Sequence, residues 1–465
     1  MSRTPTPAPT SGGIIGPGAY LQQPALAHHS AVPGVLLVLV CGLALALAVG
    51  GPLLRRRYPL AWWYLLGFPV TALRALFTWR KLTILLDLAV ARRPAQGLLG
   101  DLVVKGKPLK PIPPRLGLPR PRRGGLDVVV KLHPGQVPDQ FAAAAEALAH
   151  AWRVFAVRVV SHQRGFVRLT ATAWDPLAAP TAPFTFGGRL LAAAVGQRED
   201  GAGWVIDLRK VPHWLIVGAT RSGKSTLLAS LVEAWARQRV ALVGIDLKGG
   251  MELSLFEPRL SALATNRTEA AALLGRLVEI TTVRMALCRS HSARSIWDLP
   301  DQLRPVPVIV LVDEVAELYL MATRGEKDEV AEVSTALLRL AQLGAALGVH
   351  LVIAGQRVGS DLGPGVTALR AQLAGRICHR VNDPGTAEMA LGDLDKDALT
   401  AAQQITQTEA GVAITFGDDG HWTRARSVLT TPEHARKTAT KYAQLAPYLW
   451  QLGAATDTEQ GVYAP

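Results

Sequence analysis

Hydrophobic and polar positions divide this chain into three kinds of pattern. From position 4 to position 54 there is no Asp, Glu, Lys or Arg, and Val35–Val49 is almost unbroken Leu, Val and Ala. As a helix, Ser30–Leu54 would extend about 37 Å, enough for a hydrocarbon core of about 30 Å, so the pattern predicts a transmembrane helix over 31–54. A second apolar stretch, Tyr58–Trp79, holds Trp62, Trp63, Tyr64 and Trp79 but is interrupted by Arg74. It reads either as a second span whose arginine snorkels or as a helix lying in the interface. Beyond it the pattern changes to alternation. Leu126–Leu132 predicts a strand, Pro138–Trp152 an alanine-rich helix, and Phe155–Val160 and Phe166–Ala173 two strands around a Gln163-Arg164-Gly165 turn. From about residue 200 short runs of branched aliphatics take over. His213–Val217, Val240–Ile245, Val308–Val312 and His350–Ala354 each end in polar residues. Runs of this kind, separated by helical periodicity such as Thr226–Arg237, predict buried parallel strands and an α/β fold.

Composition refines this division. With 465 residues the chain has room for about three domains. The expected organisation is a disordered N-terminus (1–30), a membrane anchor (31–80, with the span at 31–54 and a second candidate at 58–79), a linker (81–125), a small β-α-β-β domain (126–180), an α/β motor (181–430) and a short tail (431–465). Hydrophobic residues make up 49% of the chain, which suits a membrane-anchored protein. Cys41, Cys288 and Cys378 are too far apart for a disulfide framework or a zinc site, and read as small buried residues.

The net charge of +14 is informative mainly through its location. Between Arg55 and Lys131 there are 16 Lys and Arg against Asp87, Asp101 and Asp127, so nearly the whole excess lies outside the motor. Charge alone therefore does not make the motor a nucleic-acid binder. Arg55-Arg56-Arg57 directly after the first span places that end in the cytoplasm by the positive-inside tendency. Lys105–Gly125 carries six prolines among seven basic residues, which predicts an extended linker whose charge meets anionic lipid or solvent, with DNA phosphates the lesser alternative.

The chemistry is concentrated after the first buried run. Gly218-Ala219-Thr220-Arg221-Ser222-Gly223-Lys224-Ser225 has the spacing G-x-x-x-x-G-K-S between a predicted strand and a predicted helix. In that setting backbone N–H groups and the helix N-terminus cradle phosphates, Lys224 reaches the β- and γ-phosphates, and the Ser225 hydroxyl is offered to Mg²⁺. The chain is thus expected to bind ATP with Mg²⁺. Val308–Val312 ends in Asp313-Glu314, where Asp313 would hold Mg²⁺ and Glu314 would act as general base toward water. Gln356, after His350–Ala354, stands where it could sense the γ-phosphate.

Taken together these segments resemble the FtsK/SpoIIIE family of DNA translocases. Pro212–Ser225 resembles the family's phosphate-loop segment, and Asp246, Lys248 and Glu252 its D-x-K…E-L segment. Ser292–Ile296 falls at its V-R-N-I turn, Val308–Glu314 is similar to its Walker B strand, Gly348–Arg357 to its G-I-H-L…A-T-Q-R strand, and Arg376–Val381 to its R-I-x-F-x-V segment. The similarity spans about residues 200–430. Arg221 stands where the family usually has glycine, at a position expected to point away from the phosphates.

The resemblance implies a RecA-like P-loop NTPase motor, with the small β-α-β-β domain before it and the N-terminal transmembrane anchor. It implies a homo-hexamer around double-stranded DNA, with ATP sites between subunits completed by an arginine from the neighbour, for which Arg294, Arg357 and Arg376 are the candidates. Only about 35 residues follow the motor, too few for the winged helix of cell-division translocases. The expectation is therefore a transfer protein resembling those of actinobacterial plasmids and integrative elements. Such a protein would be a plasma-membrane ATPase with a cytoplasmic motor that moves DNA during conjugation, alongside other transfer or membrane proteins. The alternatives are a chromosome-segregation translocase at the septum and the ATPase of a type VII-like protein secretion system. An adaptor that binds ATP without hydrolysing it is a further alternative, opposed by intact Lys224, Asp313 and Glu314.

Overall fold

The structure is a computed structural model that describes residues 51–91, 111–161, 163–178, 189–321, 323–392, 396–417, 420–449 and 452. The expected disordered segment 1–30 and the expected span 31–54, apart from its last residues, lie outside these. The chain divides into two compact units, Met1–Val70 and Thr71–Pro465. Pro59–Leu85 is a helix long and apolar enough to cross a membrane by length and composition. It opens in the first unit with Pro59–Trp62 and a π-helical turn at Trp63–Gly67.

Within the second unit the helix continues to Leu85, and its Thr71, Ala75, Trp79 and Thr83 are buried at spacings of four. That face packs on a small sheet domain. The Trp79 ring lies 6.4 Å from that of Trp152, and its Nε1–H donates to the Pro114 carbonyl at 2.8 Å. Arg74, expected to snorkel if this were a span, instead donates to the Trp152 carbonyl at 3.0 Å.

The strands before the motor are β1 (Val90–Ala91), β2 (Pro111–Ile112), β3 (Arg115–Leu116), β4 (Arg120–Arg122), β5 (Gly125–Lys131), β6 (Ala156–Val160) and β7 (Phe166–Thr172). β1 pairs with β2, while β3, β5, β7 and β6 form an antiparallel sheet in that order, with β4 also on β5. Leu126, Val128 and Val130 alternate inward with Val167, Leu169 and Ala171, and they bury Phe141, Leu148 and Trp152 of the two helices Pro138–Ala143 and Ala145–Trp152. The structure corrects one expectation here. The last part of the segment 81–125, expected as an extended linker, supplies strands to this sheet. Proline is tolerated because these strands are two or three residues long and lie at the sheet's edge.

The motor is built on a ten-stranded sheet. Its strands are β8 (Ala192–Arg198), β9 (Gly203–Asp207), β10 (His213–Val217), β11 (Ala241–Ile245), β12 (Ala262–Ala264), β13 (Val308–Val312), β14 (Val349–Gly355), β15 (Gly375–His379), β16 (Val412–Phe416) and β17 (Trp422–Ser427). Their order is β12-β11-β13-β14-β10-β15-β16-β17-β8-β9. The six strands from β12 to β15 are parallel, and the rest extend the sheet antiparallel. Every residue of β10, β11, β13 and β14 is buried, as strands covered by helices on both faces must be. Arg267–Ser290 and Lys327–Leu347 cover one face through Leu273, Leu277, Val333 and Leu337. Lys224–Ala236 covers the other through Leu227, Leu231 and Trp235. The segment expected as a short tail from 431 begins with a helix, Pro432–Lys441, whose Ala435 and Ala439 join that second core.

Two buried arginines hold carbonyls at the ends of these helices and in the segments beside them. Arg259 donates to Ala236, Gln238 and Val240, and Arg284 to Leu347, Gly348 and Val306. The small domain is fastened to the motor sheet by Arg158, which donates to Glu199 at 2.6 Å and to the Trp422 carbonyl at 2.5 Å.

Candidate active site

Sheet order decides where the chemistry meets. β10 leads into the phosphate loop and β13 into Asp313-Glu314, yet the two strands are not neighbours; β14 lies between them and ends at Gly355-Gln356. The three strands are parallel, so all three loops emerge at one edge, where open α/β sheets hold ligands.

The loop Gly218–Gly223 is held from below. Gly218 donates to the Gly355 carbonyl at 3.2 Å, Ala219 to that of Arg380 at 2.9 Å, and Gly411 to that of Ser222 at 2.9 Å. Gly223 has φ 111°, and a Cβ there would come within 2.4 Å of the Gly411 nitrogen. Only glycine fits. Gly223 is the N-cap of Lys224–Ala236 and provides no capping side chain, which leaves the helix's first-turn donors facing the pocket. Arg221, exposed with φ 62°, pays for its position in backbone strain and lines the pocket mouth.

Lys224 is buried, and its ammonium donates to the Asp313 carbonyl at 2.8 Å and to Glu314 Oε2 at 3.3 Å. Lys248 reaches the same Glu314 oxygen at 3.3 Å from the opposite side and lies 3.7 Å from Asp313 Oδ2. Burial works against the Lys248 charge, but Glu314, Asp313 and Glu317 outweigh it and raise its pKa. Glu314 Oε1 accepts the Gln356 backbone N–H at 3.0 Å. One carboxylate is thus fixed by two ammonium groups and an amide, beside the phosphate loop.

Asp246 is fully buried and organises the next loop. Its carboxylate accepts from the N–H groups of Lys248, Glu252 and Leu253, so the chain turns and returns Lys248 and Glu252 to the pocket. Glu252 Oε1 accepts from the Ser225 hydroxyl at 3.0 Å. Asp313 Oδ1 is buried, accepts no hydrogen bond and lies 3.8 Å from Lys224 Nζ. Burial raises the Asp313 pKa, and Lys224 and Lys248 partly counter it. Ser225 and Asp313 offer hard oxygen donors, one of them unsatisfied, which is the chemistry Mg²⁺ takes when most of its ligands are phosphates and waters.

The pocket has a volume of about 670 Å³. One part of its lining is Lys248, Glu252, Asp313 and Gln356. Another part is Gly411, Arg426 and Leu429, which sequence reasoning missed. Arg426 donates to the Ala410 carbonyl at 3.0 Å and to the Leu177 carbonyl at 2.7 Å. Nothing local in the sequence ties β17 to the phosphate loop. Below the loop His379 is wholly buried, with Nδ1 2.9 Å from the Val412 carbonyl, and burial pushes its pKa down to about 4.

The expected site residues separate clearly. Gly218 to Ser225, Asp313, Glu314 and Gln356 come together at this edge. Arg376 does not. It lies at the level of Leu215, inside the sheet, and its buried guanidinium donates to the Arg370 carbonyl at 2.8 Å, at the end of the helix Val366–Gln372. Of the other arginines considered, Arg294 and Arg357 are exposed.

Comparison with known proteins agrees with this geometry. The profile of the actinomycete conjugal transfer protein N-terminal domain matches residues 47–173, and that of the FtsK/SpoIIIE family matches 181–305 and 298–360. The transfer protein TraSA of Streptomyces ambofaciens is 44% identical over 353 residues, 74% of this chain and 85% of that protein. A sporulation regulatory protein of Streptomyces azureus is 47% identical over 242 residues, covering 52% of this chain and 80% of that protein. The DNA translocase FtsK of Caldanaerobacter subterraneus is 33% identical over 235 residues, 46% of this chain and 32% of its own. Among solved structures, the pCW3 conjugation coupling protein TcpA, in its monomer form with ATPγS, superposes with a TM-score of 0.52 at 19% identity. It covers 72% of this chain and 94% of that one, a likeness of fold. With its phosphate loop, its strand order and these relatives in agreement, the chain belongs to the FtsK/SpoIIIE family and carries that family's RecA-like P-loop ATPase fold.

Proposed function

We propose that this protein is a membrane-associated ATPase that drives double-stranded DNA through conjugative transfer. The observation that carries the proposal is the meeting of Lys224, Asp313, Glu314 and Gln356 at one edge of the sheet, beside a phosphate loop that only glycine at 223 permits. The relatives supply the substrate class: the proteins most informative about this chain are named as a transfer protein and as DNA translocases.

The residues divide the work as follows. Lys224 leaves Glu314 and turns to the phosphates, a short movement because its ammonium already sits at the helix N-terminus. That exchange leaves Glu314 Oε2 with Lys248 alone, while the Gln356 N–H keeps the other oxygen oriented. Glu314 then holds an incoming water and takes its proton, a role typically worth 10²–10⁴-fold. When bound, Mg²⁺ neutralises developing charge on the phosphates, and Ser225 and Asp313 are the residues that would hold it. Gln356, whose backbone touches Glu314, reports phosphate loss to β14. A neighbour's arginine would complete the site in a homo-hexamer. Arg294 and Arg357, both exposed, are the first candidates for this role, followed by Arg376, which is buried within its own chain. Duplex DNA would be gripped through its phosphates, so binding should be tolerant of sequence and sensitive to salt. The motor would face the cytoplasm, where ATP is, with the anchor in the plasma membrane.

The test is ATP turnover by the full chain in lipid vesicles, without nucleic acid, with single-stranded DNA and with duplex DNA, each at low and high salt. The proposal expects stimulation by duplex that fades as salt rises. Substantial turnover that ignores both kinds of DNA would overturn the DNA assignment while leaving the ATPase in place.

A further inference from the structure

The small sheet domain carries a surface that the ATPase does not use. The helix segment Thr71–Leu85 buries Thr71, Ala75, Trp79 and Thr83 against that domain, and its opposite side is apolar and exposed. Leu73 is 52% exposed, Phe77 81% and Leu85 66%, with Leu76 and Ile84 beside them. At 100° per residue Leu73, Phe77 and Ile84 lie within about 40° of one another, so they form a ridge about 16 Å long. Arg80 and Lys81, both exposed, stand on the same side. A buried span would have to hide those two cations, and an ordinary solvent-facing helix would not present those side chains.

Near the end of this helix is a cavity of about 730 Å³ whose rim includes Arg115, Lys131, His133 and Arg164. No carboxylate lines it among the described residues. Its place is fixed by two contacts: Gln136 Nε2–H donates to the Leu88 carbonyl at 2.7 Å, just past the helix end, and His133 Nε2 lies 3.2 Å from the Pro113 carbonyl. The cavity and the ridge thus belong to one side-chain framework, through Trp79 to Pro114 and Gln136 to Leu88.

We infer that this surface lies on the membrane. The Leu73–Ile84 ridge enters the headgroup and upper acyl region while Arg80 and Lys81 snorkel to phosphates. The cavity framed by Arg115, Lys131 and Arg164 takes the phosphate of an acidic phospholipid. The occupant is a bilayer and not DNA, because a row of leucine and phenylalanine has nothing to gain from a hydrated phosphodiester backbone. A bilayer satisfies both features at once. The segment 71–85 is accordingly an in-plane strap that holds the small domain, and the motor sheet fastened to it, against the cytoplasmic leaflet. This goes beyond the ATPase reading and does not depend on it.

The test uses the full chain in vesicles, with Phe77→Cys carrying an environment-sensitive fluorophore and the same label at Asp139→Cys, on an exposed site of the first helix of the sheet domain, as reference. Lipids bearing quenchers at shallow or deep acyl positions report depth. The inference expects blue-shifted emission at position 77, quenched more by the shallow than by the deep probe, and no such response at position 139. Vesicles containing an anionic lipid should strengthen the shallow quenching at least twofold over zwitterionic ones. The triple variant Arg115→Gln, Lys131→Gln, Arg164→Gln should lose that difference. Stronger quenching by the deep probe would make the segment a span and overturn the inference. So would a label that aqueous iodide quenches freely in vesicles, or one shielded only when duplex DNA is added. ATP turnover in the same samples reports separately on the motor.

Discussion

Replacing Glu314 by Gln isolates the step on which the mechanism turns. The substitution keeps volume and an oxygen for the Gln356 N–H, but removes the one negative charge that two ammonium groups share at 3.3 Å each. At an effective dielectric of about 20, each of those contacts is worth at most ~5 kcal/mol of direct attraction, most of it offset by the cost of drying the charges. Folding should therefore weaken by only about 1–3 kcal/mol, since both lysines keep Asp313 and one faces solvent in part. Catalysis should suffer far more. Losing a general base lowers turnover by about 10²–10⁴, or about 3–5 kcal/mol of barrier. Nucleotide affinity should hold or rise, because Lys224 no longer has to leave a carboxylate before it meets phosphate. Turnover by phosphate release and affinity by a fluorescent ATP analogue separate the two effects. Turnover within threefold of the parent protein would remove Glu314 from the base role. Loss of nucleotide binding would show that the carboxylate shapes the pocket instead.

Further outcomes follow from other parts of the site and fold. Gly223→Ala should weaken ATP binding by at least about tenfold, because the new Cβ meets the Gly411 backbone at 2.4 Å and the positive φ adds about 1–2 kcal/mol of strain; calorimetric titration with ATP checks it. Arg259→Met should lower the melting temperature by about 5–10 °C, since three carbonyls at the end of the helix behind the phosphate loop and in the segment beside it lose their donor, while ATP affinity in the folded fraction stays near normal. His213, His350 and His379 all have pKa values pushed down by burial, to about 4, about 3 and about 4. The unfolded chain then binds more protons than the folded one between about pH 6.5 and 4, so stability should be fully present above pH 6.5 and fall through that window by about 2 kcal/mol per histidine at pH 5. Melting curves from pH 7.5 to 4.5 should show this decline, flatter in His350→Gln; a flat profile would place these rings in solvent.

The readable parts of this protein were those whose meaning is local. A phosphate loop needs its glycines, lysine and serine within eight positions, and a covered parallel strand must be apolar along its whole length, so β10 and β13 and the residues following them could be placed from sequence. Prolines at 111 and 121 read as breakers of a core, which holds for a central strand. It fails for two- and three-residue strands at the edge of a sheet, where an absent N–H is not missed. The stretch that holds Arg74 and Trp79 reads from sequence as a second span or an interfacial helix, and nothing local announces its contacts with the small domain, because the partners of these two residues, the carbonyls of Trp152 and Pro114, lie far along the chain. Arg426 and Gly411 reach the phosphate loop only through the antiparallel extension of the sheet, and no spacing rule anticipates that approach. Arg376 lies in a segment that matches the family, and within its own chain its guanidinium holds the end of the helix Val366–Gln372, a partner that no local spacing announces.

Movement along duplex DNA is the central claim, and displacement of a third strand measures it directly. A labelled oligonucleotide is bound as a triplex at one end of a linear duplex, and the full chain in vesicles is added with ATP. The account predicts release of the third strand that requires hydrolysable ATP, is absent with Glu314→Gln, and slows as salt rises. A protein that hydrolyses ATP in the same tube yet leaves the triplex in place, on duplexes of every length, would contradict it.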